Sequence, residues 1–171
     1  GVIHRDIKPF NMMLSATDAV KICDFGLARR LKEKSFPAGN MRIGSPYYTA
    51  PEQLANPEGA DRAADLYSVA VLLYRMLTGE LPAMKGFMLS QVNPLYDSAW
   101  DTFFAKALSW RPDRRFQDAA EMTMNLRRLQ LHWQQARSEP CLAGSGEVQT
   151  LRSSPCQVAG DKARTTFAVD R

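Results

Sequence analysis

The stretch His4-Arg5-Asp6-Ile7-Lys8-Pro9-Phe10-Asn11 decides how the rest of this sequence is read. Pro9 bars a regular helix or central strand, so the charged Asp6 and Lys8 stand on a loop. A lone Asp-x-Lys on a loop is most often solvated surface, but two further triplets follow in order: Asp24-Phe25-Gly26 and Ala50-Pro51-Glu52. The segments between them have legible character. Val2-Ile3, Asn11-Met12-Met13-Leu14 and Val20-Lys21-Ile22-Cys23 are short apolar runs, and the turn Ser15-Ala16-Thr17-Asp18 makes Met12 to Cys23 a β-hairpin. From Leu27 to Pro51 no periodicity holds, and Pro37, Gly39, Gly44, Pro46 and Pro51 punctuate it, which reads as one long functional loop.

The first stretch resembles the catalytic loop of eukaryotic-type protein kinases, His-Arg-Asp-x-Lys-Pro-x-Asn. Asp24-Phe25-Gly26 resembles that family's metal-binding triplet, on the second strand of the hairpin, and Ala50-Pro51-Glu52 resembles the triplet that closes its activation segment. The resemblance covers residues 1 to 136, from the catalytic loop to the last helix of the large lobe. It implies a kinase-like large lobe, mainly α with a small β-hairpin and α+β overall, with residues 137 to 171 a flexible tail or linker. Short loops and Ser45-Pro46-Tyr47-Tyr48-Thr49-Ala50-Pro51-Glu52-Gln53 look like the bacterial branch of the family.

Roles follow from the resemblance position by position. It implies that Asp6 orients the substrate hydroxyl and accepts its proton, and that Lys8 places positive charge on the transferring phosphoryl group of ATP. Asn11 and Asp24 would supply hard oxygen ligands to Mg²⁺, and Met13 would lie beneath the adenine ring. His4 and Phe25 match two members of a hydrophobic regulatory spine, with Gly26 completing the metal-binding triplet. Asp65 matches a buried helix carboxylate that accepts hydrogen bonds from catalytic-loop amides, as a buried carboxylate requires. Arg115 would pair with Glu52, and stranding either buried charge would cost roughly 3 to 5 kcal/mol.

Lys8, and the Gly44-Ser45-Pro46-Tyr47-Tyr48 segment, resemble serine/threonine rather than tyrosine kinases. Ser45 matches a residue packed on the catalytic Asp and Lys; an ordinary loop serine or a phosphosite are its other readings. Arg5 before Asp6 implies switching by loop phosphorylation, since a bare Arg there suits a phosphate partner. Ser35, among Arg29, Arg30, Lys32 and Lys34, is the one acceptor in the open part of the loop, although a charge run on a loop can simply be solvated. Cys23 reads as a buried strand residue rather than a reactive thiol. Ala70 and Ala83 stand where the family usually has Gly in the buried helix and Phe after Leu-Pro.

The large lobe should be helical, and the sequence supplies three helices. Asp61 to Thr78 carries Leu66, Val69, Ala70, Leu73 and Leu77 at helical spacing, with Gly79 placed to cap the C-terminus, and should be deeply buried. Ser98 to Leu108 is the second. Gln117 to Arg137 is the third, with Met122, Leu126, Leu129 and Trp133 on one side and Arg127 and Arg128 on the other.

Composition sets the outer limits. The 171 residues, 45% of them hydrophobic, suffice for one ordinary domain and a tail. The 22 Lys+Arg against 18 Asp+Glu leave +4, too little to argue for a polyanion or nucleic-acid partner. Cys23, Cys141 and Cys156 form neither a disulfide framework nor zinc-ligand spacing, and no apolar run reaches membrane-spanning length. A soluble protein of the reducing cytoplasm is the expectation, with membrane anchoring left open beyond residue 171.

The residues expected of a small lobe are absent from 1 to 171: no Gly-rich phosphate-covering loop, no Val-Ala-Ile-Lys strand and no partner Glu on a following helix. The expectation is therefore a large-lobe fragment of a protein serine/threonine kinase, inactive alone, whose small lobe lies upstream and whose buried helix shows an apolar face. A non-catalytic pseudokinase-like interaction module is the alternative. A small-molecule phosphotransferase fits less well, because Ala50-Pro51-Glu52 and Arg115 resemble braces for a peptide-binding segment.

Overall fold

In the computed structural model the described residues are 1–30, 47–82 and 88–138. Four short strands come first: β1 (Val2–Ile3), β2 (Met12–Leu14), β3 (Val20–Ile22) and β4 (Arg29–Arg30). Five helices follow: α1 (Pro51–Ala55), α2 (Arg62–Thr78), α3 (Leu89–Val92), α4 (Ser98–Ala107) and α5 (Ala119–Ser138), with 3-10 turns at Pro9–Asn11, Phe25–Leu27 and Pro112–Arg114. Among the described residues no helix is long and apolar enough to cross a membrane.

The expected hairpin is present as β2 and β3, antiparallel with Met12 opposite Ile22 and Leu14 opposite Val20. Ser15 makes its turn: Oγ accepts from the Thr17 and Ala19 amides at 3.3 and 3.0 Å, while Asp18 takes the left-handed backbone at φ 58°. Asp tolerates that region better than most residues because its short polar side chain bonds locally. A second antiparallel pair, β1 with β4, sets Ile3 opposite Arg29. It closes the ends of the segment that carries the catalytic-loop motif, and its two-residue strands show no periodic signal.

The longest expected helix forms nearly where its signals put it. Asp61 caps α2 by accepting from the Ala63 amide at 2.7 Å, and Gly79 ends it at φ 79°, donating its amide to the Arg75 carbonyl at 2.8 Å. The buried face differs from the expected stripe. Ala63, Ala64, Ser68, Ala70, Val71 and Tyr74 are buried, whereas Leu66, Val69, Leu73 and Leu77 are half-buried and Met76 is 71% exposed. The helix turns its small residues inward, where backbones approach closely, and leaves much of its large apolar side incompletely covered.

The core lies where α2, α3, α4 and α5 meet. Phe104 stands edge-on to Tyr74 (centroids 5.2 Å) and to Phe103 (5.3 Å), and Phe103 packs on Phe116 at 5.1 Å. Fully burying each such ring contributes roughly 1.5–3 kcal/mol, with a further increment for edge-on geometry. Helix α4 matches its expected bounds within one residue, and Asp97 caps it through the Ala99 amide at 3.0 Å. Helix α5 starts two residues later than expected, at the point where Asp118 accepts from the Glu121 amide (2.7 Å) and so caps it, while the Glu121 carboxylate accepts from the amide of Gln117 (2.8 Å). Its far half is pinned by Trp133, which donates to the Leu95 carbonyl at 2.8 Å and stacks on Tyr96.

Candidate active site

The segment after β1 is suspended from α2. Asp65 accepts the His4 amide at 2.7 Å and the Arg5 amide at 2.8 Å, one on each carboxylate oxygen. Burial pushes the Asp65 carboxyl up, while the two amide bonds and the nearby His4 and Arg5 oppose that rise. Two more elements grip Arg5: Gln53 of α1 donates to its carbonyl at 2.6 Å, and its own Nε donates to the Leu27 carbonyl at 2.6 Å. These bonds hold Arg5 at φ 67°, a left-handed conformation that costs a non-glycine residue about 1–3 kcal/mol. The kinked backbone turns the next residue, Asp6, into the interior, where it is 8% exposed.

Asp6 is then held from three directions. Its carboxylate Oδ2 lies 2.7 Å from Lys8 Nζ and accepts from Asn11 Nδ2 at 3.0 Å. The same Asn11 amide donates to the Asp6 carbonyl at 2.9 Å, and the Asp6 amide donates to His4 Nδ1 at 3.3 Å. With Nδ1 accepting, His4 Nε2 carries the proton and donates to the Cys23 carbonyl at 3.1 Å. One sequence-local turn does most of this work. Pro9 presets the backbone of the Pro9–Asn11 turn, which brings Lys8 and Asn11 back onto Asp6.

Asp24 stands across the hairpin from this group. The Cys23 amide donates to the Asn11 carbonyl at 2.9 Å, so Asn11 and Asp24 sit at the same end of β2 and β3. Asp24 itself is left-handed at φ 63°, with Oδ1 accepting the Gly26 amide at 3.3 Å. A Cβ on Gly26 would lie 3.2 Å from that Oδ1, so a side chain there would crowd the carboxylate. Asn11 spends its amide hydrogens on Asp6 and keeps its side-chain oxygen for another partner. Two hard oxygens from adjoining strands fit Mg²⁺, which takes few protein ligands and completes its shell with phosphates and water. Among the described residues no cluster of three or more His, Cys, Asp or Glu could hold a metal without such additional ligands.

His4 and Phe25 do meet, edge-on with centroids 4.9 Å apart, but Phe25 is 58% exposed. Met13 is 55% exposed on the hairpin, whose apolar side chains have little packed over them among the described residues. Cys23 is half-buried and lies just past the end of β3, which corrects its placement as a buried strand residue. Ser35, Ser45 and Ala83 lie outside the described residues.

Glu52 and Arg115 meet in a two-pronged ion pair at 2.7 Å on each side. Arg115 also donates to the carbonyls of Ser109 (2.7 Å) and Ala63 (3.1 Å) and stacks over the Tyr67 ring at 4.7 Å. Burial pushes the Tyr67 phenol up, the Arg115 charge opposing and Glu52 adding to the shift. The pair ties α1 to the end of the α4–α5 connection and so fixes where Gln53 meets Arg5.

Sequence reading missed several supports. Gln53, Ser68 and Arg29 each bond backbone far away in the chain: Gln53 to Arg5, Ser68 Oγ to the Tyr48 carbonyl at 2.7 Å, and Arg29 Nη2 to the Ala60 carbonyl at 2.9 Å. Single polar residues of this kind leave no pattern in a sequence. Arg29 also bears on Arg5, whose guanidinium pKa is lowered first by burial and then by Arg29, with Asp65 opposing.

A family model described as the protein kinase domain matches residues 1–141. The chain belongs to the protein kinase domain family. This kinase domain is 35% identical to the serine/threonine-protein kinase PknB of Mycolicibacterium smegmatis, over 91% of this chain and 27% of that protein. It is 36% identical to the serine/threonine-protein kinase PknB of Mycobacterium tuberculosis, over 90% and 27% respectively. Identity to the probable serine/threonine-protein kinase PknB of Lactococcus lactis is 35%, over 71% and 22%. The chain thus spans about 27% of the length of the mycobacterial relatives.

Proposed function

We propose that this kinase domain is the large lobe of an enzyme that transfers the γ-phosphoryl group of Mg·ATP to serine or threonine of a protein. The observation that carries the reading is the grip of Lys8 and Asn11 on Asp6, at 2.7 and 3.0 Å. Asp6 receives the substrate hydroxyl, orients it and takes its proton. Lys8, already beside that carboxylate, meets the negative charge of the phosphoryl group as the hydroxyl attacks. Asn11 divides its functions: the amide hydrogens fix Asp6, and the side-chain oxygen would be left to help hold a Mg²⁺ ion. Asp24 supplies the other protein oxygen, and exposed Met13 offers a flat apolar contact to the adenine. The bound cation neutralises phosphate charge, the main requirement of phosphoryl transfer.

Intact Asp6, Lys8, Asn11 and Asp24 favour an enzyme over a non-catalytic module. Residues 1–171 hold no Gly-rich loop and no Val-Ala-Ile-Lys strand, so transfer requires a small lobe contributed from outside this stretch, and the stretch alone is inactive. A cytoplasmic location, where ATP is at hand, belongs to the same proposal. Lys8 supports hydroxyl acceptors of the serine/threonine type.

The experiment is phosphoamino-acid analysis after incubating the full-length protein with labelled ATP and a mixture of proteins. Phosphoserine or phosphothreonine is expected. Phosphotyrosine alone, or label in small molecules only, contradicts the reading.

A further inference from the structure

A groove runs between α4 and α5. One wall is Ala99, Thr102, Phe103 and Lys106, spaced i, i+3, i+4 and i+7 along a single face of α4. The other wall repeats that spacing on α5 with Asn125, Arg128, Leu129 and His132, and Phe116 adds to the floor. The space between them is about 300 Å³, at the lower end of the range for small-molecule sites. The step from Ala99 to Lys106 along the helix covers about 10 Å, which sets the length of the groove.

Both ends are occupied by the protein itself. At one, Lys106 Nζ bonds Glu121 Oε1 at 2.5 Å and lies 4.5 Å above the Phe116 ring. At the other, His132 Nδ1 faces Asp97 Oδ2 at 3.4 Å. Between the ends, the Thr102 hydroxyl donates to the Ser98 carbonyl at 3.0 Å and the Asn125 amide donates to the Glu121 carbonyl at 2.8 Å. Arg128 differs from all of these: among the described residues its side chain has no hydrogen bond and no carboxylate partner. The groove therefore combines one uncommitted guanidinium with the apolar surface of Ala99, Phe103 and Leu129.

We propose that the α4–α5 groove is a binding site for a small aromatic carboxylate, whose charged head takes two parallel hydrogen bonds from Arg128 while its ring covers Phe103 and Leu129. The site shares no residue with the group around Asp6, and the proposal does not rest on the kinase reading. A carboxylate matches the planar fork of an arginine and brings a single negative charge. A phosphate monoester carries nearly two near neutral pH and calls for a second free cation, whereas Lys106 and His132 already face carboxylates. An extended peptide would have to displace the contacts at both ends, while a two-ring acid fits between them.

The test is calorimetric titration of the full-length protein with 2-naphthoate, and with neutral 2-naphthamide for comparison. Naphthoate is expected to bind with a Kd of about 0.1–1 mM and the amide about tenfold more weakly, the difference a charge-assisted pair supplies. Arg128→Gln should weaken naphthoate by about the same factor, and Arg127→Gln, at the neighbouring arginine outside the groove, should leave it unchanged. Thr102→Trp fills the groove from the α4 side and should abolish binding; thermal unfolding of each variant shows that it is folded. No binding by wild type, equal affinity for acid and amide, or equal affinity of wild type and Arg128→Gln overturns the proposal. Equal losses in Arg127→Gln and Arg128→Gln would show diffuse attraction to a basic helix face, and unchanged binding in folded Thr102→Trp would place the ligand elsewhere; either result also overturns it.

Discussion

Arg115 and Glu52 form a two-pronged ion pair, Nη1 to Oε1 and Nη2 to Oε2 at 2.7 Å each, with the Arg115 side chain fully buried and that of Glu52 21% exposed. The burial is asymmetric, so the two partners are not equivalent. Removing Glu52 strands the guanidinium in the interior, where its remaining partners are backbone carbonyls and the Tyr67 ring. Glu52→Ala is expected to destabilise the full-length protein by about 3–5 kcal/mol in urea unfolding. Arg115→Lys should recover little of the stability lost in Arg115→Ala, because an ammonium cannot reproduce the fork. A Glu52→Ala loss below about 1 kcal/mol would mean that the pair behaves as a surface salt bridge.

Gln53 is 1% exposed and sets the Arg5 carbonyl through a 2.6 Å bond. Gln53→Leu fills a similar volume but abandons that carbonyl, at a cost of about 1–3 kcal/mol. Since the bond helps keep Arg5 left-handed and Asp6 turned inward, turnover should fall as well. Stability and kcat measured on the same variant check both effects, and an unchanged kcat would separate Gln53 from the positioning of Asp6.

The Asp65 carboxyl has a folded pKa raised above its unfolded value, burial outweighing the amide bonds from His4 and Arg5. Between the two values the folded state holds more proton than the unfolded one, so this contribution to stability is complete below the unfolded pKa. It is lost as pH rises through the folded pKa. Asp65→Asn removes that dependence and also leaves one amide without an acceptor. The variant is therefore expected to be less stable than wild type throughout, with the difference larger at acid pH than at neutral pH. Unfolding curves of both proteins across that range provide the check, and a difference that grows with pH contradicts the sign.

Gly79 closes α2 at φ 79°, and a Cβ there would meet nothing within 4 Å. Backbone conformation alone therefore decides the substitution. Gly79→Ala should cost about 1 kcal/mol and Gly79→Asn less, read as shifts in thermal midpoint.

The bounds of α2 and α4 were legible because each carries its own end signals, Asp61 with Gly79 and Asp97, around an apolar period. The group of Asp6, Lys8 and Asn11 was legible because one eight-residue segment holds it together. Other features have no local signature. The β1–β4 pair joins residues 28 and 26 positions apart, Val2 with Arg30 and Ile3 with Arg29. The five residues of α1 and four of α3 are too short to show a period, and tertiary contacts hold them. Deep burial of the whole α2 stripe was misjudged because an apolar stripe tells which side a helix would cover, not whether enough chain lies over it; the half-buried Leu66, Val69, Leu73 and Leu77 instead match the apolar face expected of a large lobe without its neighbour. The exposed Phe25 has the same cause.

Whether Asp6 serves as the proton acceptor of a phosphoryl transfer is tested most directly by steady-state transfer from ATP to a protein substrate, comparing full-length wild type with Asp6→Asn. Thermal unfolding of both proteins establishes that they are equally folded. A loss of about 100-fold or more in kcat, with the unfolding midpoint little changed, is predicted for removal of a positioned base. Activity of the variant within a few-fold of wild type would contradict the role given to Asp6.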